Sequence, residues 1–322
     1  MTLLSTWFIV GIYMDGWAHN HIPELETFFT PWHGVLYSGY LVTAAFLLFL
    51  AFRGGNANYI WYKHLPSAYH PSLFGAVIFL LGGVGDLIWH EVFGIEKSVE
   101  ALLSPTHLVL AIGAGLMFIG NLRAFWQTSF TAKPRLIEAL PAILSLTYVF
   151  SVVTFMTQFL HPALAIPAGI APATNIIDTK QSLGIATILF HAAWIVSLVL
   201  VAYRQKRLPF GTLTILFGLN ALGMGIMKDT QYLIIPALIA GLVGDYLIQR
   251  LPWESGRGMM IRWGMALLPM AYYLCYFLGL MLTKQIWWSV HLWTGSIVMA
   301  GIEGLLLSYL VLPPSTPAKE TV

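Results

Sequence analysis

An all-α, polytopic integral membrane bundle of about ten transmembrane helices is the fold this sequence predicts, and three observations predict it. Of its 322 residues 58% are hydrophobic and only 9% charged, which leaves too little polar surface to cover a water-soluble globule. Apolar runs of roughly 20 residues, the length one helix needs to cross the hydrocarbon core, recur from end to end. Basic residues are dense in every second connection and sparse in the others, as successive membrane crossings would leave them.

The predicted spans, in order, are 3–19, 33–52, 71–91, 106–124, 137–159, 181–203, 209–227, 230–249, 259–283 and 286–312. Each is a helix because a lipid interior offers no partner for an unsatisfied backbone amide. The first begins Met1-Thr2-Leu3 without a basic segment and ends in Asp15, Trp17 and His19 rather than a small-residue cleavage site. It is therefore expected to be retained rather than cleaved. With ten spans, one side of the membrane holds Arg53, Lys63, Arg123, Lys133, Arg135, Arg204, Lys206, Arg207, Arg250, Arg257, Arg262 and Lys319, and the other holds Lys97, Lys180, Lys228 and Lys284. Twelve against four places both termini in the cytoplasm of an inner or plasma membrane. The net charge of +2 is spread over these loops, so membrane lipid is the expected partner and nucleic acid is not. The one cysteine, Cys275, lies within an apolar span, which excludes a disulfide framework and a cysteine metal site. No glycine-rich phosphate loop, GxSxG elbow or CxxCH haem attachment occurs.

The chain repeats itself. Asp15-Gly16-Trp17-Ala18-His19 ends the first span and Thr30-Pro31-Trp32-His33 starts the second; Asp86-Leu87-Ile88-Trp89-His90 ends the third and Ser104-Pro105-Thr106-His107 starts the fourth. Asp15 to Asp86 is 71 residues, as is His19 to His90. A further 71 reaches Thr157 and His161, a copy that keeps the histidine but neither the acid nor a following Pro-x-His. Residues 1–125 thus read as two tandem metal-binding transmembrane hairpins, and 126–322 as additional helices packed in the same bundle. Gly244-Asp245 echoes Gly85-Asp86, but the predicted topology puts Asp245 at the opposite membrane face.

Residues four apart on a helix share a face, so Asp15 with His19, and Asp86 with His90, project together. Thr30 and Ser104 are placed as N-caps, Pro31 and Pro105 suit the first helical position, and His33 and His107 fall in the first turn. An antiparallel hairpin then gathers one carboxylate and two imidazoles. A single histidine at a membrane helix end is usually an interfacial side chain, Asp-x3-His alone could be a hydrogen-bonded pair, and Pro-x-His alone an ordinary helix start. The same acid and two histidines recurring in one order on one side point to metal instead, because ionisable groups within spans are costly and usually functional. The predicted ligands are Asp15, His19, His33, Asp86, His90 and His107, with His161 as an additional one. This donor set accepts zinc, iron(II) and copper(II) alike.

The pattern over residues 10–115 resembles that of the C subunit of copper membrane monooxygenases, the particulate methane and ammonia monooxygenases. That subunit carries an acid or amide, x3-His, and a second histidine beside a Thr/Ser-Pro-like helix start, twice in tandem. The resemblance implies copper at Asp15, His19 and His33 and again at Asp86, His90 and His107, facing the non-cytoplasmic side. It also implies partner subunits, since the soluble copper domain of such complexes is absent from this chain, and O₂-dependent oxidation of a small, weakly polar substrate. Trp17, Trp32 and Trp89 would limit water access. The chain differs in having six spans after the repeat, and in a longer spacing between His90 and His107 than between His19 and His33. The competing functions are a metal or ion transporter, and a non-catalytic subunit that stores metal or assembles a complex. Catalytic residues are not identified.

Other polar residues carry weaker signals. His21 follows His19 as a His-x-His, and His191 with Glu303 is a conceivable proton path or structural pair. His291 lies near the outer start of the tenth span. Met14, Met156, Met224 and Met227 are soft donors that read mainly as packing. Trp287, Trp288 and Trp293 read as interfacial anchors, and His64 and His70 as solvated loop residues.

Overall fold

The computed structural model describes residues 1–22, 29–53, 64–94, 99–130, 132–165, 171–205, 208–253 and 258–312. Lys63, Lys97, Lys206, Arg207, Arg257 and Lys319, on which the predicted orientation partly rests, lie outside the described residues. Among the described residues the chain is helical with no strand: α1 Thr2–His21, α2 Pro31–Phe52, α3 His70–Phe93, α4 Val99–Leu103, α5 Pro105–Phe118, α6 Gly120–Gln127, α7 Leu136–Met156, α8 Pro162–Ala165, α9 Ile177–Gln205, α10 Thr212–Lys228, α11 Ile234–Gln249, α12 Gly258–Leu282 and α13 Val290–Val311.

Eight of these helical stretches are long and apolar enough to cross a membrane: Pro31–Phe52, Ser67–Phe93, Pro105–Gln127, Leu136–Met156, Thr174–Ala202, Gln231–Gln249, Gly258–Leu282 and Val290–Val311. The predicted ten included two more that fall outside this set. α1 carries Asp15, His19, Asn20 and His21 in its last two turns, which dilutes its apolar stretch, and α10 is 17 residues long. The predicted fourth span is covered by α5 and α6, with Ile119 between them.

The side-chain distribution is that of a protein solvated by hydrocarbon. On α3, Phe74, Val77, Leu80, Leu81, Val84 and Ile88 face outward, while Gly75, Ala76, Gly82, Gly83 and Asp86 are buried. α11 does the same, with Ile235, Ile239, Leu242 and Val243 outside and Ala237, Ala240, Gly241, Gly244 and Asp245 inside. Small and polar residues turn inward and large apolar ones outward because lipid, unlike water, gives no reason to bury them.

The chain forms two compact units. The first comprises Met1–Phe159 with Leu219–Gln231, and so extends beyond the two predicted hairpins; the second comprises Leu160–Gly218 with Tyr232–Val322. In the first, α1 packs on α2 and α3 on α5, with α7 against α1, α5 and α6. Glycines set the helix separation: a Cβ on Gly11 would lie 2.6 Å from the Leu36 Cα, and one on Gly113 2.6 Å from the Phe79 backbone nitrogen. Beneath the polar helix ends Phe8 is fully buried and meets Phe79 edge-on at 5.0 Å and Phe118 at 5.2 Å. The Tyr40 hydroxyl donates to the Ala76 carbonyl at 2.9 Å, tying α2 to α3. This aromatic floor fixes the four helices that carry the predicted ligands.

In the second unit α9, α11, α12 and α13 pack together. Asp245 is not a stray repeat residue. Its carboxylate accepts from the backbone nitrogens of Leu213 and Thr214, each at 3.0 Å, and from the Thr214 hydroxyl at 2.8 Å. It therefore caps the start of α10 from a neighbouring helix, where amide donors would otherwise lack partners. Arg262 donates to the Ser308 carbonyl at 2.8 Å and lies over the Tyr309 ring, joining α12 to α13.

Gly113→Leu is expected to destabilise the protein by about 1–3 kcal/mol through overpacking against α3, measured as thermal unfolding in detergent. Gly115, whose Cβ would meet open space, should accept alanine with no loss.

Candidate metal centre

Each predicted ligand set converges. Asp15, His19 and His33 offer donor atoms that all lie within 4.8 Å of one another, and so do Asp86, His90 and His107. In the first cluster the Asp15 carboxylate stands 3.7 Å from His19 Nε2 and 3.4 Å from His33 Nε2. In the second, Asp86 stands 3.4 Å from His90 Nε2 and 3.6 Å from His107 Nδ1. The imidazole pairs match as well: ring centroids lie 5.8 Å apart for His19 and His33 and 5.9 Å for His90 and His107, at interplanar angles of 61° and 67°.

The local sequence explains the convergence. The Asp and first His sit one turn apart on the last turns of α1 and α3, and the second His enters from the first turn of α2 or α5. Thr30 accepts from the His33 backbone nitrogen at 3.1 Å and Ser104 from that of His107 at 3.4 Å, so the predicted N-caps do hold these turns. Pro31 and Pro105 occupy the first helical position. In the second hairpin, the short helix α4 occupies part of the longer connection.

The separations of 3.4–3.7 Å are informative. A charge-assisted hydrogen bond closes to about 2.7–2.9 Å, whereas donors about 2.1 Å from a common tetrahedral ion stand about 3.4 Å apart. The residues thus stand at separations that a cation between them would also produce. Burial strengthens the case, because the Asp86 side chain is only 2% exposed and that of His90 7%. An uncompensated carboxylate at that depth costs several kcal/mol. The first cluster is more open, with His19 at 31%.

The second cluster also carries the outer contacts that orient metal ligands. Thr106 donates to Asp86 Oδ1 at 2.9 Å, and His90 Nδ1 donates to the Gly94 carbonyl at 3.4 Å, which leaves Nε2 to face the acid. The Ser104 hydroxyl lies 2.6 Å from His107 Nδ1, the same nitrogen that stands 3.6 Å from Asp86, so an ion bound there would replace this hydrogen bond. The first copy has Trp32 where the second has Thr106, so self-similarity gave no hint of this contact.

Other predicted positions go elsewhere. His21 sits one face away, with Nε2 2.8 Å from Asp229 and Nδ1 2.8 Å from the Trp17 carbonyl, and ties the end of α1 to the turn after α10. Trp17 and Trp32 pack edge-on at 5.6 Å beside the first cluster, and Trp89 packs on Phe93. His161 belongs to the second unit, where its ring faces that of His191 at 5.2 Å; it is a member of neither triad. His191 Nδ1 meets the Tyr273 hydroxyl at 3.1 Å.

Comparison with protein-family models, with curated proteins and with solved structures yields no match for this chain. The chemistry of the site therefore rests on its own geometry.

Thr106→Val is expected to weaken metal uptake at the second cluster by roughly 10- to 100-fold and to leave the first unchanged. Competition with a chelator of known affinity, read against the unsubstituted protein, measures it.

Proposed function

We propose that the protein is a membrane metalloprotein that holds one ion at Asp15, His19 and His33 and another at Asp86, His90 and His107. Copper is the proposed ion, and O₂-dependent oxidation of a small, weakly polar substrate, as a subunit of a larger membrane complex, is the proposed activity. One observation carries the metal reading: in both clusters a carboxylate oxygen and two imidazole nitrogens gather within 4.8 Å of one another. The motif's resemblance to the C subunit of copper membrane monooxygenases favours copper over zinc or iron.

Bound copper supplies one-electron chemistry and coordination positions left open by a three-ligand set. The chain supplies the rest. Asp15 and Asp86 bring negative charge that offsets the ion's, Thr106 and the Gly94 carbonyl fix ligand orientation, and the aromatic floor excludes water from below. Beside the first cluster a cleft of about 370 Å³ is lined by Val10, Tyr13, Met14, Trp17, Trp32 and Leu222, among others. Its apolar wall suits a substrate that arrives from the lipid. Ten spans, both termini on the side rich in arginine and lysine, and the clusters on the opposite face are the topology that accompanies this reading.

Metal analysis of the purified protein tests it. Two ions per chain are expected, falling to one in Asp15→Ala or His33→Ala and, independently, to one in Asp86→Ala or His107→Ala. Uptake should weaken on acidification, because a proton competes for each ligand nitrogen. A membrane-impermeant chelator should strip the metal from intact cells. Metal content that ignores all four substitutions, or its absence from the wild-type chain, contradicts the reading; zinc in place of copper removes the redox chemistry but not the sites, and iron redirects the O₂ chemistry to a two-histidine, one-carboxylate iron(II) centre.

A further inference from the structure

A cavity of about 80 Å³ is walled by Asp15 and His33 of the first cluster together with Asp86 and His107 of the second. Both ligand sets therefore open on one space. Most of the remaining wall is apolar, including Phe79, Ala111, Ala114 and Met156, and Tyr37 adds a phenol to it. The volume is about half of the 150 Å³ that accommodates benzene in an apolar protein cavity, so its occupant has only a few heavy atoms.

Tyr37 lies four residues beyond His33 and so shares its face of α2. Its ring centroid is 6.1 Å from that of His33 and 6.1 Å from that of Phe79 on α3. On the α3 side, a Cβ at Gly83 would stand 3.3 Å from the phenol oxygen; the missing side chain leaves the room that Tyr37 fills. Asp15 and Asp86 both lie within electrostatic reach of the phenol. A residue of the first hairpin thus lines the same cavity as the acid of the second. The corresponding turn of α5 has Ala111 four residues after His107, so the cavity receives one phenol rather than two.

We propose that the two clusters serve a single small ligand in this shared cavity, a molecule of about two to four heavy atoms with a hydrogen-bond acceptor, and that the Tyr37 hydroxyl donates to it. A phenolic O–H rotates to suit its acceptor, and between two cation sites it can reach a ligand held by either. The proposal rests on the metal reading above.

Azide, a three-atom acceptor, is the probe. Protein loaded with copper(II) is titrated with azide and followed by azide-to-copper charge-transfer absorption, with metal content measured in parallel. Tyr37→Phe is expected to keep both ions and to weaken azide binding roughly tenfold, the worth of one hydrogen bond to a charged acceptor. Ala114→Leu, which fills the cavity, should keep both ions and abolish azide binding. Asp86→Ala should alter the azide affinity of the ion that remains at the first cluster. Two bound ions with azide affinity unchanged in Tyr37→Phe, or a first-cluster titration indifferent to Asp86→Ala, overturns the shared cavity while leaving the metal sites standing. Loss of copper in Tyr37→Phe overturns the donor role in favour of a structural one. Wild-type protein that takes up no copper overturns the metal reading and this proposal with it. Should Ala114→Leu itself lose metal, Tyr37→Phe alone decides.

Discussion

A buried carboxylate, Asp86, and a half-buried one, Asp15, stand among apolar helices and have to be compensated, and the first unit is organised around that requirement. Asp86 is almost wholly buried, and at such a depth an ionised group without partners costs several kcal/mol. Its neighbours are imidazoles and hydroxyls, which orient the carboxylate but bring no fixed positive charge. The distances to those imidazoles, 3.4 and 3.6 Å, are longer than a charge-assisted hydrogen bond and compatible with a shared ion. A cation would supply the missing charge, and the ion–ligand bonds would in turn fix α1 to α2 and α3 to α5 at the ends where the loops emerge.

That constraint passes down to the packing. Converging ligands from two helices need the helix axes close, and glycine provides the closeness: Gly11 against Leu36 and Gly113 against Phe79 leave no room for a side chain. Below them Phe8, Phe79 and Phe118 form a buried aromatic base. The hairpins are held from beneath by this aromatic core, which keeps the two helix ends of each hairpin together.

Much of this was legible in the residue order. Asp-x3-His places two groups on one helix face, and Thr/Ser-Pro-x-His names a cap, a first-turn proline and a ligand, so both triads and both caps could be written down from spacing alone. What could not be read were contacts made through space by residues without a partner pattern. Thr106 has no counterpart in the first hairpin, and Tyr37 is one tyrosine among 14 in an apolar stretch. His161 matched the 71-residue period yet sits with His191 in the second unit, because periodicity reports position along the chain and not the unit a residue joins. Asp245, an echo of the motif in sequence, is a helix cap in space. The span count was blurred where polar residues crowd a helix end, as in α1, and where a helix is short, as in α10.

The account stands on the claim that each cluster closes on one ion. X-ray absorption at the metal edge of copper-loaded protein tests it most directly. The account predicts a first shell of two imidazole nitrogens and one carboxylate oxygen at about 2.0–2.2 Å, retained in a chain where either cluster alone has been disabled. A shell lacking imidazole, or one unaltered when both clusters are disabled together, would contradict it.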